Sequence, residues 1–280
     1  MSMPGEGLFW RRLEGKAEAA VAEMPGVAGV AVMDIATGRS LSINGDEPFQ
    51  AASTIKIFVL AQLLAMAEAG QVDLARPVSV DEAEIVLGSG VLAHLENRPA
   101  FTVRDLAILM VIASDNTATN LCIDLAGMEA TNELIRRWGL ARTVLGRKMM
   151  DAESARAGIE NVSSPDDLVA ALAALHAGKP SSWVSGESLR ILAKPKFGFL
   201  NQALPDDLPV AHKPGYVEGA ACDAGIVFLP RRPYIVATML KYAPLPDVDM
   251  HHALIGLFRL IHTEMAVLDA SNWTGRLVAR

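Results

Sequence analysis

The stretch FQAASTIKIFVLAQLLAMAEAG, residues 49–70, holds one lysine within a run of mostly apolar and small residues. Lys56 follows Ser53 by three positions. The pattern predicts a helix over residues 49–67 that ends at Gly70. A helix this apolar is normally buried, and a buried ammonium group without a partner is costly in free energy. Lys56 therefore either extends its ammonium group to water or has a task that needs a cation beside a serine hydroxyl.

The spacing of Ser53 and Lys56 is compatible with nucleophilic catalysis. Residues three positions apart share a face of a helix, so the hydroxyl and the amine are within hydrogen-bonding reach. Burial lowers the pKa of a lysine, and a neutral amine can act as the general base that makes serine a nucleophile. Ser-x-x-Lys also occurs by chance in many helices, where the lysine reaches solvent. The apolar surroundings favour the catalytic interpretation without deciding it.

The segments on either side of this helix predict an α+β fold, an αβα sandwich. An antiparallel sheet assembled from both chain ends is flanked by helices, and an all-helical lobe is inserted between its strands. The segments that predict it are an amphipathic helix at 8–24, a hairpin at 26–45, a mainly helical region at 81–178, strands near 210–212, 224–230 and 234–242, and a closing helix at 249–268.

We expect this arrangement to form one catalytic domain over residues 1–280. Its lobes are predicted to be 8–48 plus 205–280, which hold the sheet, and 49–204, which is mainly helical. An active site is expected where the two lobes meet.

Composition excludes several classes of partner. The chain has 280 residues, a net charge of −7 and no long basic run, so we expect no nucleic-acid and no membrane partner. Because no export signal or apolar span is visible, we expect a cytoplasmic protein, or a periplasmic or secreted one if a signal has been removed. Cys122 and Cys222 are expected in the core, and no metal site is predicted.

Two further motifs follow Ser-x-x-Lys along the chain. MVIASDNTATN, residues 110–120, places Ser114, Asp115 and Asn116 in an apolar helical stretch. A helix interruption capped by its own polar side chains would give the same pattern. VAHKPGYVEG, residues 210–219, places Lys213 and Gly215 in a strand. An ordinary edge strand with an exposed lysine would also fit, although the glycine permits close backbone approach.

The ordered set Ser-x-x-Lys, Ser-Asp-Asn and Lys-x-Gly resembles the signature of the penicillin-recognising serine enzymes, closest to the class A β-lactamases. The resemblance extends over nearly the whole chain. It implies a serine hydrolase that forms an acyl-enzyme on Ser53, with Lys56 as the proton acceptor and β-lactam hydrolysis as the reaction. Ser114 would pass a proton to the leaving group, whereas Asp115 would fix the loop.

The same resemblance implies how the substrate is held. Asn116 would hydrogen-bond the substrate's amide side chain, and Lys213 would supply positive potential near the substrate's carboxylate. Gly215 belongs to the same substrate-binding strand. The backbone N–H groups of Ser53 and Tyr216 would form the oxyanion hole. The substrate would be a small molecule (a β-lactam, an ester or a small amide), and the Ser–Lys mechanism needs no cofactor.

The chain departs from the class A pattern within the Lys-x-Gly motif. Pro214 stands where the family usually has a hydroxyl that helps to hold the β-lactam carboxylate. Proline also lacks a backbone N–H, so we expect this position to face away from a ladder partner. The next strand carries Cys222 and Asp223 instead of a second arginine anchor. We therefore expect weaker recognition of the carboxylate, with Lys213 still in place.

A second departure concerns deacylation. Class A enzymes use a glutamate in a loop after the helical lobe. The corresponding segment here is residues 145–165, with Arg147 and Asn161 as its neck, and Lys-Met-Met stands at 148–150 where the glutamate is expected. Asp151 or Glu153 could supply the base from a shifted position, or both could be exposed loop residues.

Without a positioned base, the acyl-enzyme would hydrolyse slowly, as in penicillin-binding proteins, or with a different base, as in related esterases. Three alternatives to a β-lactamase therefore stay open. They are a carboxylesterase or peptidase on the same fold, a slowly deacylating penicillin-binding protein, and a sensor that is acylated once. The oligomeric state is also open.

Overall fold

The structure is a computed structural model that describes residues 5–97, 99–244 and 248–278. The strands are β1 (Val27–Asp34), β2 (Ser40–Ile43), β3 (Phe49–Gln50), β4 (Pro77–Val78), β5 (Phe101–Thr102), β6 (Val162–Ser163), β7 (Val210–Val217), β8 (Ala220–Val227) and β9 (Tyr234–Lys241). The helices are α1 (Glu6–Ala22), α2 (Lys56–Glu68), α3 (Val103–Ile112), α4 (Asn116–Ala126), α5 (Met128–Arg137), α6 (Ala152–Arg156), α7 (Pro165–His176), α8 (Ser182–Leu192), α9 (Phe199–Gln202) and α10 (Val248–Ala270). Short 3₁₀ helices cover Ala52–Ile55, Glu82–Glu84 and Leu92–His94.

The main sheet has the strand order β2-β1-β9-β8-β7, and all of its neighbours are antiparallel. Its centre joins the two ends of the chain, because β1 pairs with β9 from Val27↔Lys241 to Asp34↔Tyr234. The predicted antiparallel sheet built from both chain ends is confirmed. Strand β7 lies at the edge of the sheet, where a proline is tolerated because an edge strand has unpaired backbone groups.

Helices cover both faces of this sheet, as the burial of every residue of β8 requires. On one face, α1 and α10 pack over an apolar cluster that includes Val30, Val32 and Val236. On the other, α7 packs on β1, β8 and β9, and the cluster there includes Ala31, Ile235 and Ala237. Because successive residues of a strand point to opposite faces, one sheet serves two cores. The αβα sandwich is confirmed.

Helix α2 is the central helix of the helical part. Its residues from Lys56 to Leu64 are all buried, and it packs against α4, α5 and α8. A helix that is apolar on all sides is stable in this setting because neighbours surround it. Both cysteines are buried and free, as the sequence indicated.

The predicted single helix over 49–67 is wrong in its first turns. Strand β3 pairs Phe49 with Ser163 of β6, a 3₁₀ helix follows, and α2 begins only at Lys56. An α-helix cannot extend back past Ser53, because Ala51 donates its N–H to the Asn161 carbonyl (2.8 Å) and Ala52 has a φ of 43°. Apolar content alone did not show this break.

A second break separates α3 from α4, where Ser114 has a φ of 51°. Asp115 then caps α4 by accepting a hydrogen bond from the Ala118 N–H (2.9 Å). Helix α7 is also capped, since Ser164 accepts from the Asp167 N–H and Pro165 is the first helical residue. Among the helices of the described ranges, none is long and apolar enough to cross a membrane.

Candidate active site

The hydroxyl group of Ser114 links the predicted catalytic side chains. Its Oγ donates to Ser53 Oγ (2.7 Å) and accepts from Lys56 Nζ (3.0 Å) and Lys213 Nζ (3.2 Å). The three motifs, separated by up to 160 positions in the chain from Ser53 to Lys213, therefore meet at one oxygen atom. The sharp turn between α3 and α4 brings Ser114 to this place, because its positive φ carries the side chain out of the helix.

Lys56 is fully buried, and its amine lies among three oxygen acceptors. Nζ donates to the Ser114 carbonyl (2.7 Å), to Ser114 Oγ and to Asn116 Oδ1 (3.3 Å). Burial, reinforced by the positive charge of Lys213, holds the pKa of Lys56 well below its usual value. The amine therefore loses its proton more readily than that of an exposed lysine, and the Ser114 hydroxyl connects it to Ser53.

Lys213 projects from edge strand β7 toward the same oxygen. It is buried, and this burial lowers the pKa of Lys213 to about 7, although the Asp223 carboxylate opposes the change. Its Nζ also donates to the Pro214 carbonyl (2.9 Å). His212 points to the other face of the strand, where Nδ1 contacts Asp223 Oδ1 at 3.0 Å. The two side chains diverge because successive residues of a strand point to opposite faces.

Gly215 allows β7 to approach the turn that carries Ser53. A Cβ atom at this position would lie 2.8 Å from the Ser53 backbone nitrogen and 2.8 Å from Cys222 Sγ. Any larger residue would push the strand away from Ser53. Tyr216 follows directly, so its backbone N–H and that of Ser53 come from two segments in close contact.

Asn116 and Asp115 have different surroundings. Asn116 lines the cavity described below, receives the Lys56 hydrogen bond and donates through Nδ2 to the Leu87 carbonyl (3.0 Å). Asp115 is buried, and its Oδ2 accepts from the N–H groups of Val91 (2.7 Å) and Leu92 (2.8 Å). Asp115 thus fixes a loop and caps α4, while Asn116 lies on the cavity wall beside Lys56.

A cavity of about 670 Å³ opens above Ser53. Its wall includes most of the predicted site residues, namely Ser53, Ser114, Asn116, Lys213, Gly215 and Tyr216. Lys56 lies beneath the wall and reaches the cavity through Ser114. The volume is in the usual range for a small-molecule site.

The predicted deacylation segment forms one side of this cavity. Its neck is closed by Asn161, whose Oδ1 accepts from the Arg147 N–H (3.0 Å) and whose Nδ2 donates to the Arg147 carbonyl (3.0 Å). Met149 and Met150 line the cavity. The two apolar side chains therefore stand where a class A enzyme is expected to hold its base.

Neither Asp151 nor Glu153 is among the lining residues of the cavity. Asp151 caps α6, accepting from the Ser154 N–H (3.0 Å) and the Ser154 hydroxyl (2.7 Å). These hydrogen bonds from Ser154 lower the pKa of Asp151 below its usual value. Glu153 lies in the first turn of the same helix. The structure thus does not bring these two carboxylates to Ser53, and their role as base stays a prediction.

Several site residues were not identified from the sequence. Asn120 holds the peptide of Met149, accepting from its N–H (2.8 Å) and donating to its carbonyl (3.2 Å). It lies in the quoted SDNTATN motif, four positions after Asn116, so helical spacing could have suggested it. Phe197 and His251 also line the cavity, and no local pattern distinguishes them.

Comparison with known proteins agrees with this geometry. Residues 12–257 match the model of the family described as "Beta-lactamase enzyme family". β-Lactamase CARB-4 of Pseudomonas aeruginosa is 25% identical over 259 residues, which cover 90% of each chain.

Solved structures are also similar. The β-lactamase of Sphaerobacter thermophilus superposes with a TM-score of 0.84 at 30% identity, covering 92% of this chain and 98% of the other. A mutant of PBP-A, solved as an acyl-enzyme complex with penicillin G, has a TM-score of 0.82 at 28% identity and covers 90% and 96%. With a family match over most of its length and this arrangement of serines and lysines, the chain belongs to the β-lactamase enzyme family and is a serine hydrolase of the class A type.

Proposed function

We propose that this protein opens β-lactam rings by forming an acyl-enzyme on Ser53. The observation that carries the proposal is the chain of contacts from Ser53 Oγ to Ser114 Oγ (2.7 Å) and on to Lys56 Nζ (3.0 Å). It gives the nucleophile a path to a buried amine of lowered pKa.

Acylation then follows from these contacts. Ser53 gives its proton to Ser114 Oγ while Ser114 gives its own to the neutral Lys56 amine. A bond forms between Ser53 Oγ and the lactam carbonyl carbon, and the backbone N–H groups of Ser53 and Tyr216 stabilise the resulting oxyanion. When the C–N bond of the ring breaks, the proton returns through Ser114 to the leaving nitrogen.

Substrate binding rests on Lys213 and Asn116. Protonated Lys213 attracts the carboxylate of a β-lactam, and Asn116 faces the substrate's amide. Pro214 has no hydroxyl to add to the carboxylate contact, so the charge of Lys213 matters more here than where a hydroxyl helps.

The test is the intact mass of the protein over time after mixing with benzylpenicillin, with Ser53→Ala as control. An adduct of the drug's mass, or loss of the drug, is expected for the native protein and neither for Ser53→Ala. Turnover by Ser53→Ala, or an intact drug with no adduct, would contradict the proposal.

A second candidate is a penicillin-binding protein whose acyl-enzyme persists. The observation that favours it is the pair Met149 and Met150 on the cavity wall, without a carboxylate of Asp151 or Glu153 beside them. The same mass measurement separates the two. A persistent adduct means slow deacylation, whereas loss of drug with no lasting adduct means β-lactamase turnover, and then Asp151 or Glu153 is tested as the base.

A further inference from the structure

We infer that Cys222 is a positioning residue of the oxyanion hole, because its thiol contacts both of the segments that supply the backbone N–H groups. The inference rests on the proposed function and adds a residue to it. Cys222 lies on strand β8, directly opposite Gly215 of the edge strand β7. It is fully buried and is not among the residues that line the cavity, so it acts through the backbone and not on the substrate.

The sulfur atom of Cys222 lies close to three oxygen atoms of these two segments. Sγ is 3.3 Å from the Ala51 carbonyl oxygen and 3.8 Å from Thr54 Oγ1, both in the turn that carries Ser53. It is also 3.6 Å from the carbonyl oxygen of Gly215. A thiol has one proton, so it donates to one of these oxygens at a time and packs against the others.

The thiol of Cys222 keeps its proton at neutral pH. Burial raises the pKa of this thiol to about 12, because the charged thiolate would lose its hydration there. Since the thiolate is the reactive form of cysteine, the side chain is no nucleophile in this place. It remains a neutral donor to the backbone carbonyls.

These contacts bear on both N–H groups of the oxyanion hole. The Gly215 carbonyl and the Tyr216 N–H belong to one planar trans peptide, so they point in opposite directions. A contact at the carbonyl therefore restricts the direction of the N–H. The Ala51 carbonyl also accepts from the Thr54 N–H (2.9 Å) and the Thr54 hydroxyl (2.6 Å), which closes the turn around Ser53. The thiol thus lies behind both halves of the hole.

The sulfur has space in this position because residue 215 is a glycine. A Cβ atom there would lie 2.8 Å from Cys222 Sγ and 2.8 Å from the Ser53 backbone nitrogen, so strand, sulfur and nucleophile turn meet at one point. Protein interiors are closely packed, and removal of the sulfur leaves a gap into which the strand and the turn can shift. Such a shift matters, because misplacement by about 1 Å costs up to about 10²-fold in rate.

The experiment compares Cys222→Ala with the native protein. The measured quantity is the carbonyl stretching frequency of the benzylpenicillin acyl-enzyme, recorded by infrared difference spectroscopy in excess drug. Hydrogen bonds from the oxyanion hole lower this frequency, so Cys222→Ala is expected to shift the band to higher frequency. The rate constant of Ser53 acylation should fall about tenfold, which is part of the roughly 10²–10³-fold loss that follows removal of a whole donor.

Cys222→Ser keeps a donor of similar shape and should show smaller changes in both quantities. It carries the same comparison if Cys222→Ala does not fold.

A second probe does not depend on the lifetime of the acyl-enzyme. Acetamidomethylboronic acid binds through its boron atom to Ser53 Oγ, and one of its oxygens takes the place of the oxyanion, so it is a transition-state analogue. Its dissociation constant is expected to rise about tenfold in Cys222→Ala, because the same two N–H groups hold this oxygen.

Cys122→Ala is the matched control. Cys122 is the other buried free cysteine, and it lies on α4 outside the cavity wall. Its substitution removes the same group from the core and should lower the free energy of unfolding to a similar extent. It should leave the carbonyl band and the dissociation constant of the boronic acid unchanged.

The outcomes separate this inference from the function on which it rests. An unshifted band together with an unchanged dissociation constant in Cys222→Ala would overturn the inference while Ser53 acylation stands. Equal changes in Cys222→Ala and Cys122→Ala would also overturn it, because general loosening of the core would then be the cause. If the native protein shows neither a Ser53-dependent adduct nor loss of drug, the proposed function fails and the inference fails with it.

Discussion

Ser114 Oγ has one proton and three neighbours, and this determines how the site can work. In the resting arrangement the proton points to Ser53, while both lysines donate to the oxygen. For Ser53 to attack, the direction of the Ser53–Ser114 bond must reverse, which requires Lys56 to accept a proton. Burial and the positive charge of Lys213 lower the pKa of Lys56, and this favours the transfer of a proton to its amine.

Lys213 is expected to give the reaction an alkaline limit. Burial lowers its pKa to about 7, so above that pH the amine becomes neutral and no longer attracts a carboxylate. The rate constant of acylation by benzylpenicillin, measured from pH 5 to pH 9, should therefore fall above about pH 7 as this group of the free enzyme loses its proton. Lys213→Arg stays protonated over the whole range and should lack this decline. The same decline in Lys213→Arg would assign it to another group.

At the scale of the elements, the turn that carries Ser53 is tied to the deacylation segment. Strand β3 pairs with β6, and Ala51 donates to the Asn161 carbonyl (2.8 Å). The nucleophile and the segment of residues 145–161 are therefore positioned together. Asn120 of α4 holds the Met149 peptide from the other side. The segment is supported from both sides, but it presents Met149 and Met150 to the cavity and not the carboxylates that follow them.

Met149→Glu is expected to speed hydrolysis of the acyl-enzyme. The substitution places a carboxylate on the cavity wall, at a residue whose backbone Asn120 already holds. A general base in the correct position accelerates a reaction by roughly 10²–10⁴-fold. The decay of the benzylpenicillin adduct, followed by mass spectrometry, measures the effect. Met149→Gln has the same size without a basic oxygen and serves as the control. Equal decay in the two variants would show that the position cannot activate water.

The loop of residues 88–92, which borders the cavity, is held by Asp115. Asp115→Ala removes the acceptor for the N–H groups of Val91, Leu92 and Ala118, all of which lie within 3 Å of it. We expect a loss of about 3 kcal/mol in the free energy of unfolding, because buried backbone donors are left unpaired. Urea unfolding measures this loss. Asp115→Asn keeps one acceptor oxygen and should lose less, and an unchanged midpoint for Asp115→Ala would contradict the assignment.

At the scale of the whole molecule, the sheet depends on joining the chain's two ends. Arg232, in the connection between β8 and β9, donates to Glu6 of α1 (3.0 Å) and to Asp34 at the end of β1 (2.7 Å). All three side chains are buried. This cluster fixes the first helix and the first strand to the last pair of strands.

Arg232→Ala is therefore expected to destabilise the whole domain. It leaves two buried carboxylates without this cation, a change that costs about 3–5 kcal/mol. The neighbouring Arg231 is exposed, and its guanidinium bonds the Ser271 carbonyl (3.0 Å), so Arg231→Ala should cost only about 1 kcal/mol. The free energy of unfolding in urea is the measurement. Equal losses for the two variants would show that the cluster adds no special stability.

Much of this architecture could be predicted from the sequence because it is encoded in local patterns. Runs rich in strand-forming residues, bounded by turn residues, predicted the hairpin and the final strands, and the order of elements predicted the sheet built from both ends. Ser-x-x-Lys, Ser-Asp-Asn and Lys-x-Gly identified Ser53, Lys56, Ser114 and Lys213 as candidates, since each motif is short and contiguous.

Tertiary structure decided the rest, because it depends on contacts between distant segments. The break before Ser53 comes from pairing with β6, over a hundred positions away. Ser114 lies between Ser53 and Lys56 because the backbone turns there with a positive φ. The neighbouring residues are typical of a helix, so the sequence does not indicate this turn. The path of the loops decides that Asp151 caps a short helix while Met149 and Phe197 line the cavity. Loops have no periodic sequence pattern from which this path could be predicted. The sequence by itself thus determined which groups are candidates for the chemistry, and the fold determined which of them touch.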